Sequence, residues 1–145
     1  ATGVTFGRHF LDHTLKEGSA VFTSIPPAVA MAVIKDMQPD LAVTFAGRLQ
    51  RMIYFDGTPP LELEAYGRAA AEYGVDEEEF MTKMRAPEYL RKAQADFETS
   101  RKLGVNGFPT VVLEREGEYV ALARGYVSYE TLSANYQSVV TQTTP

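Results

Sequence analysis

Cysteine is absent from this 145-residue sequence, and so is tryptophan. Because the cysteine thiolate is the nucleophile in thiol–disulfide exchange, the chain cannot form, break or relay a disulfide with its own side chains. The same absence excludes a disulfide framework and disfavours a structural zinc site. It leaves the cellular compartment open, with a cytoplasmic location slightly favoured.

Long hydrophobic runs and an excess of positive charge are absent as well. The most apolar stretch, residues 28–34, is far shorter than the roughly 18 residues of a membrane-spanning helix, and no secretory signal opens the chain. The net charge is −5, and acidic and basic residues are interleaved rather than gathered into a basic stripe. The sequence therefore predicts neither a membrane partner nor a nucleic-acid partner.

Helical periodicity runs through the first two thirds of the chain, where apolar residues recur at steps of three or four. Ser24 is expected to cap a central helix that begins with Pro26 and Pro27, where a missing N–H costs nothing. In the following helix Arg48 is expected to face water, opposite an apolar face. That face consists of Leu41, Phe45, Leu49 and Ile53.

A helix over residues 61–73 is expected next, and two more helices follow it, of which the first has a well-marked start. Asp76 and Glu79 match an acidic version of the capping box, and Val75 and Phe80 occupy the positions of a hydrophobic staple. The second helix is expected to run from near Pro87 to Leu103. Its predicted buried face consists of Leu90, Ala93, Phe97 and Leu103.

The apolar period changes from helical to strand-like after Gly104. Residues 110–114 and 119–124 flank residues 115–118, which predicts a hairpin with a four-residue loop. Ser128 is placed to cap a last helix.

The most informative segment is residues 103–113, with the sequence Leu-Gly-Val-Asn-Gly-Phe-Pro-Thr-Val-Val-Leu. A long helix ends in glycine, and after a short turn the Phe-Pro-Thr step leads directly into a strand. Proline has no N–H for a sheet ladder, so Pro109 marks backbone that pairs with nothing inside the sheet. Such an opening can accept an extended ligand.

This segment, with the helices before it and Arg124-Gly125-Tyr126 ahead of the last helix, resembles the DsbA-like branch of the thioredoxin superfamily. The resemblance covers nearly the whole chain and implies an α/β thioredoxin-like fold with an α-helical insertion domain. We accordingly divide the chain into a mostly helical region (1–103), a hairpin plus helix (104–140) and a frayed tail (141–145). At the cis-proline position of the family, the substrate-binding residues implied are Gly107, Phe108, Pro109 and Thr110.

The first part of the sequence departs from the family. The family begins with a strand, a Cys-x-x-Cys helix and a second strand, and nothing here supplies this β-α-β unit. The resemblance implies thiol:disulfide oxidoreductase or isomerase activity, with a thiol or disulfide protein as substrate. We expect this chain to be a truncated member, without a catalytic residue or cofactor of its own.

Two alternatives stay open. One is a glutathione-dependent enzyme that resembles the kappa-class glutathione transferases or the 2-hydroxychromene-2-carboxylate isomerases, which use serine in place of the first cysteine. The other is a non-catalytic peptide-binding or assembly module, with a homodimer formed through the hairpin edge. His9 and His13 lie one helical turn apart, but without a third ligand at matching spacing we expect a surface or capping role and no metal site.

Overall fold

The computed structural model describes residues 5–141. It divides into two compact units, Ala1–Ala95 and Asp96–Pro145. Of the expected frayed tail, Thr141 is the last residue of a helix, and residues 142–145 lie outside the described part. The division predicted at residue 103 stays a prediction.

The first unit is built from helices. A π-helical segment over Phe10–Leu15 comes first, and a short 3-10 turn over Pro39–Leu41 follows the first α-helix. The α-helices are α1 (Ile25–Met37), α2 (Ala42–Tyr54), α3 (Leu63–Ala71), α4 (Glu77–Arg85) and α5 (Pro87–Lys102), of which α5 continues into the second unit.

Helix α1 is the centre of the first unit. It packs against α2, α3 and α4, and its buried residues include Val29, Ala30, Val33 and Ile34, in keeping with its apolar sequence. The largest fully buried side chains around it include Phe45, Tyr66 and Phe80, and the rings of Phe45 and Phe80 meet edge to face at 5.9 Å. Tyr66 donates its hydroxyl to the Pro60 carbonyl at 2.8 Å, and burial raises the pKa of Tyr66 to about 12.

The predicted apolar face of α2 is confirmed for Phe45, Leu49 and Ile53, but the prediction for Arg48 was wrong. Its side chain is only 20% exposed and donates two hydrogen bonds of 2.8 Å to Glu72 and one of 3.0 Å to Asp56. The hydrogen bonds to Glu72 raise the pKa of Arg48 and lower the pKa of Glu72. Partners distant in the sequence hold this guanidinium in place.

The helix starts show one correct and one wrong prediction. Asp76 caps α4, because its carboxylate accepts the backbone N–H of Glu79 at 2.7 Å. Ser24 makes no side-chain capping bond and has near-helical backbone angles. The hydroxyl of Thr23, one residue earlier, accepts the N–H of Ile25 at 3.3 Å instead.

The buried face of α5 also differs from the prediction. Leu90 is 39% exposed, whereas Tyr89 and Ala93 are buried. The hydroxyl of Tyr89 donates a 2.6 Å hydrogen bond to Asp36 of α1, and Lys83 and Lys92 donate to the same carboxylate at 3.2 and 3.0 Å. This polar anchor fixes Tyr89, rather than its neighbour Leu90, toward α1.

The second unit contains the hairpin and the last helix. Strands β1 (Thr110–Arg115) and β2 (Glu118–Arg124) pair antiparallel, and α6 (Tyr129–Thr141) follows. The hairpin turn has two residues, not the predicted four, because Arg115 already pairs with Glu118. Glu116 and Gly117 both have positive φ, 57° and 85°, as a two-residue turn compatible with strand twist requires.

A bulge interrupts the hairpin. Val111 is opposite Ala123 but Val112 is opposite Ala121, so Leu122 is the extra residue on β2. The Leu122 carbonyl accepts a 2.8 Å hydrogen bond from the side chain of Asn135 in α6. Helix α6 is therefore fastened to the hairpin at the point where the ladder is irregular.

We predict that Asp76→Ala destabilises the protein by about 1 kcal/mol, because the N–H of Glu79 loses its side-chain acceptor. Urea unfolding followed by circular dichroism measures this change. Glu98→Ala, which removes an exposed carboxylate from the interior of α5, serves as the control and should change stability by less than about 0.5 kcal/mol. Equal effects of the two substitutions would contradict the capping role.

A second prediction concerns acid stability. The hydrogen bond from Tyr89, followed by those from Lys92 and Lys83, lowers the pKa of Asp36 well below its usual range. A carboxylate with a pKa lowered by folding stabilises the native state above about pH 4, where the unfolded carboxylate titrates, and this stabilisation is lost as the pH falls further. Asp36→Asn should therefore lower the melting temperature at about pH 7, and the difference from the parent protein should narrow toward about pH 3.

Thermal unfolding of both proteins at the two pH values measures this difference. Asp40→Asn, which removes a carboxylate without losing such hydrogen bonds, is the matched control. A difference that stays constant with pH would rule out titration of Asp36 as its source.

Candidate functional site

The segment before the hairpin begins with a well-formed helix end. The N–H of Gly104 donates to the carbonyl of Arg101 and the N–H of Val105 to that of Ser100, both at 3.0 Å. Gly104 has φ of 70°, a left-handed conformation that glycine adopts without a Cβ clash. The predicted glycine termination of α5 is thus confirmed, and it directs the chain into the turn that contains Phe108 and Pro109.

The turn is closed by the first residue of β1. The hydroxyl of Thr110 donates to the Gly107 carbonyl at 2.7 Å, and the peptide bond between Phe108 and Pro109 is cis. The Pro109 carbonyl accepts the N–H of Gly125 at 2.8 Å, which extends the hairpin by one bond beyond its ladder. The structure therefore brings the four predicted site residues together in one turn at the head of β1.

Phe108 is the most exposed member of this turn. Its side chain is 86% exposed, so it contributes no core packing. Within residues 5–141, no hydrogen bond engages its backbone N–H or carbonyl. In the same part of the chain β1 pairs with β2 alone, which leaves its other edge without a partner strand.

Arg124 is a supporting residue that the sequence analysis missed. Its guanidinium donates to the Gly104 carbonyl at 3.1 Å, and its backbone lies opposite Thr110 in the ladder. It thus joins the end of β2 to the helix end that precedes the turn. A lone arginine at a strand end gives no signal of this role, because its acceptor is a backbone carbonyl 20 residues away.

The end of the hairpin leads into α6 through a second glycine with positive φ, Gly125 at 83°. Ser128 caps α6 as predicted and accepts the N–H of Thr131 at 3.2 Å. A backbone hydrogen bond and the Ser128 hydroxyl lower the pKa of Glu130 in the first turn of the helix. Tyr126 and Tyr129 in this connection are largely exposed, at 68% and 79%.

Two kinds of reactive group, thiols and metal-ligand clusters, are absent from the described residues. The sequence has no cysteine, and no cluster of three potential metal ligands forms within residues 5–141. None of the helices in that range is long and apolar enough to cross a membrane. The turn at Pro109 therefore offers no thiol of its own, and the groups that it leaves exposed are the ring and the unpaired backbone of Phe108.

Comparison with known proteins defines the class. The thioredoxin-like domain family matches residues 58–139, which is more than half of the chain, so the protein belongs to this family. Solved structures similar to the chain include a disulfide reductase and a putative protein disulfide isomerase, and the family match together with the reductase confirms a DsbA-like member of the thioredoxin superfamily. The thioredoxin-like fold, mostly helical with a small two-stranded sheet, is confirmed as well.

Two structures of one reductase are similar over most of the chain. The cytosolic disulfide reductase DsbM from Pseudomonas aeruginosa is 31% identical, with a TM-score of 0.81, and the match covers 96% of this chain and 70% of that one. The same reductase solved with GSH is 29% identical, with a TM-score of 0.77 and the same coverage.

A putative protein disulfide isomerase from Nitrosomonas europaea shares the fold. It has a TM-score of 0.80 at 20% identity, and the match covers 84% of this chain and 60% of that one. The chain therefore spans about 60% to 70% of the length of these structures. No curated protein sequence matches it.

We predict that Thr110→Val loosens the turn, because the Gly107 carbonyl loses the hydroxyl that closes it. The second unit should lose about 1 kcal/mol of stability, the usual net contribution of one hydrogen bond. Hydrogen exchange of the Val105 and Gly125 amides measures this loss. Thr82→Val on the exposed face of α4 is the matched control, and equal changes in both variants would contradict the role of the hydroxyl.

Proposed function

We propose that this chain forms the substrate-binding side of a DsbA-like thiol–disulfide oxidoreductase. In this proposal the backbone of Phe108, next to Pro109, pairs with an extended segment of a thiol or disulfide protein. The observation that carries the proposal is the unpaired backbone of Phe108 at the open edge of β1, beneath a side chain that is 86% exposed.

The physical basis is strand addition. An extended peptide gains affinity when its main chain bonds to an exposed strand edge, and neighbouring side chains then select among sequences. Pro109 has no N–H, and its carbonyl is already bonded to Gly125, so the neighbouring Phe108 offers the free donor and acceptor. The Phe108 ring adds an apolar contact for the substrate side chain.

The thiols of the reaction lie outside these 145 residues. Thiol–disulfide exchange proceeds when a thiolate attacks one sulfur of a disulfide and displaces the other as a thiolate. The attacking and leaving sulfurs must be aligned, and a bound, extended substrate provides that alignment. In this proposal the turn at Pro109 orients the substrate, and residues beyond this chain perform the sulfur chemistry.

Glutathione is a second candidate ligand for the same edge. It is a short peptide-like thiol, and a similar reductase has been solved with GSH. A glutathione-dependent isomerase or transferase would use the same backbone contacts. Binding of glutathione would therefore show that the edge accepts a short peptide-like ligand, but it would not distinguish between the types of reaction. An assembly module would also use this edge, through a strand from a second copy of the chain.

The experiment is a nuclear magnetic resonance titration of the full chain with an extended peptide that contains a disulfide, and in parallel with glutathione. We expect a saturable shift of the Phe108 amide. Phe108→Ala keeps the backbone N–H and should weaken binding about three- to ten-fold through lost apolar contact. Phe108→Pro removes the N–H as well and should abolish binding.

Tyr119→Ala, which removes another exposed aromatic side chain from the hairpin, is the control and should bind normally. Binding to Phe108→Pro at the parent affinity, with an intact fold, would refute the backbone role. A concentration-dependent dimer in sedimentation that Phe108→Pro dissociates, without any peptide binding, would favour the assembly module instead.

A further inference from the structure

The first unit contains a cavity, open to solvent, that the proposed function does not use. It has a volume of about 430 Å³, within the usual range for small-molecule sites, and lies beside the π-helical segment, and most of its lining residues are exposed. Its apolar lining residues include Val21, Pro59 and Leu61, which we call the apolar wall. Its polar lining residues include His9, His13, Thr14 and Glu17, which we call the polar wall.

The polar wall is fixed by close contact with the loop after α2. The buried hydroxyl of Thr14 donates to the Gly57 carbonyl at 2.5 Å. Gly57 has φ of 79°, and a Cβ there would lie 2.7 Å from the His9 ring and 3.0 Å from the backbone nitrogen of Phe10. Only glycine allows the loop to approach so closely, so the position of the loop against the polar wall depends on Gly57.

His13 in the π-helical segment and His9 immediately before it both contribute imidazoles to this wall. The ring centroids of His9 and His13 are 4.6 Å apart, and Nδ1 of His13 lies 3.8 Å from the Glu17 carboxylate. The prediction that both histidines lie at the surface is confirmed, and the pair also lines the cavity together with the Glu17 carboxylate.

Hydrogen-bond acceptors predominate on the polar wall. The Thr14 proton is used by Gly57, so its oxygen can only accept from a ligand. Glu17 accepts through both oxygens, and each neutral imidazole offers one acceptor nitrogen. Among the lining residues Glu17 has the one formal charge when the histidines are neutral. A ligand for this wall needs N–H donors and a positive charge.

We propose that the cavity binds a small organic cation, with its apolar body against Val21, Pro59 and Leu61 and a protonated amine against Glu17 and the two histidines. A metal ion fits less well, because no three metal-ligating side chains converge within residues 5–141. A primary arylalkylamine has both required parts, a compact hydrocarbon and an ammonium group with three donors.

The test is an amide-resolved titration of the full chain with phenethylamine at about pH 8, where an ordinary imidazole is neutral. Phenylacetate serves as the charge-reversed probe. We expect saturable shifts of the Gly57 and Ser19 amides with the amine, and binding at least about five-fold weaker for phenylacetate, as for the loss of an exposed ion pair. Glu17→Gln should weaken amine binding about two- to five-fold, whereas Glu98→Gln should leave it unchanged.

The proposal is overturned if neither amide shows a saturable shift, if phenylacetate binds as tightly as phenethylamine, or if Glu98→Gln weakens binding as much as Glu17→Gln. Leu61→Ser should also weaken amine binding. This variant tests the apolar wall and leaves both histidines unchanged. The Phe108→Pro variant should bind the amine normally. The test of amine binding in the cavity can therefore fail or succeed independently of the test of peptide binding at Pro109.

Discussion

The absent N–H of Pro109 is the constraint on which the candidate site depends. A residue without a donor cannot continue the sheet ladder, so β1 begins at Thr110, and the Pro109 carbonyl bonds to Gly125 on the side of β2. The opposite side stays open, and Phe108, the residue just before it, is left with unpaired backbone groups in the described part of the chain. In the proposed function, recognition of an extended ligand at this point therefore depends on backbone groups more than on any one side chain.

Local features of the structure could be predicted from the sequence because their causes are local. The capping of α4 by Asp76, the glycine end of α5 and the capping of α6 by Ser128 each involve atoms within about one helical turn. Ser24 failed as a cap because Thr23, one residue earlier, supplied the acceptor. The residue at which a helix begins depends on which of several adjacent polar side chains accepts an N–H group of the first turn. A sequence pattern does not show which of these side chains will do so.

Features that depend on distant partners were not predictable. Tyr89, and not the predicted Leu90, lies on the buried face of α5, because the Tyr89 hydroxyl reaches Asp36, 53 positions earlier in the chain. The role of Arg124 depends likewise on a backbone carbonyl at Gly104. In both cases a polar group fixes the orientation of an element, whereas the sequence pattern records only which positions are apolar. The four candidate site residues could be named from the sequence because they are contiguous, whereas the role of Arg124 could not, because its acceptor lies 20 residues away.

The turn at Pro109 is shaped by bonds within one continuous segment of the chain, which bears on how binding and sulfur chemistry can be separated. Each described bond that shapes it joins residues between Gly104 and Gly125: Thr110 to Gly107, Arg124 to Gly104, and Gly125 to Pro109. None involves sulfur, and α6 reinforces the same hairpin through Asn135 at the bulge. A chain without cysteine therefore sets the geometry of this turn by itself. In the proposed function, exchange chemistry depends on thiolate character and access, whereas docking depends on backbone pairing, so the two requirements need not share a residue.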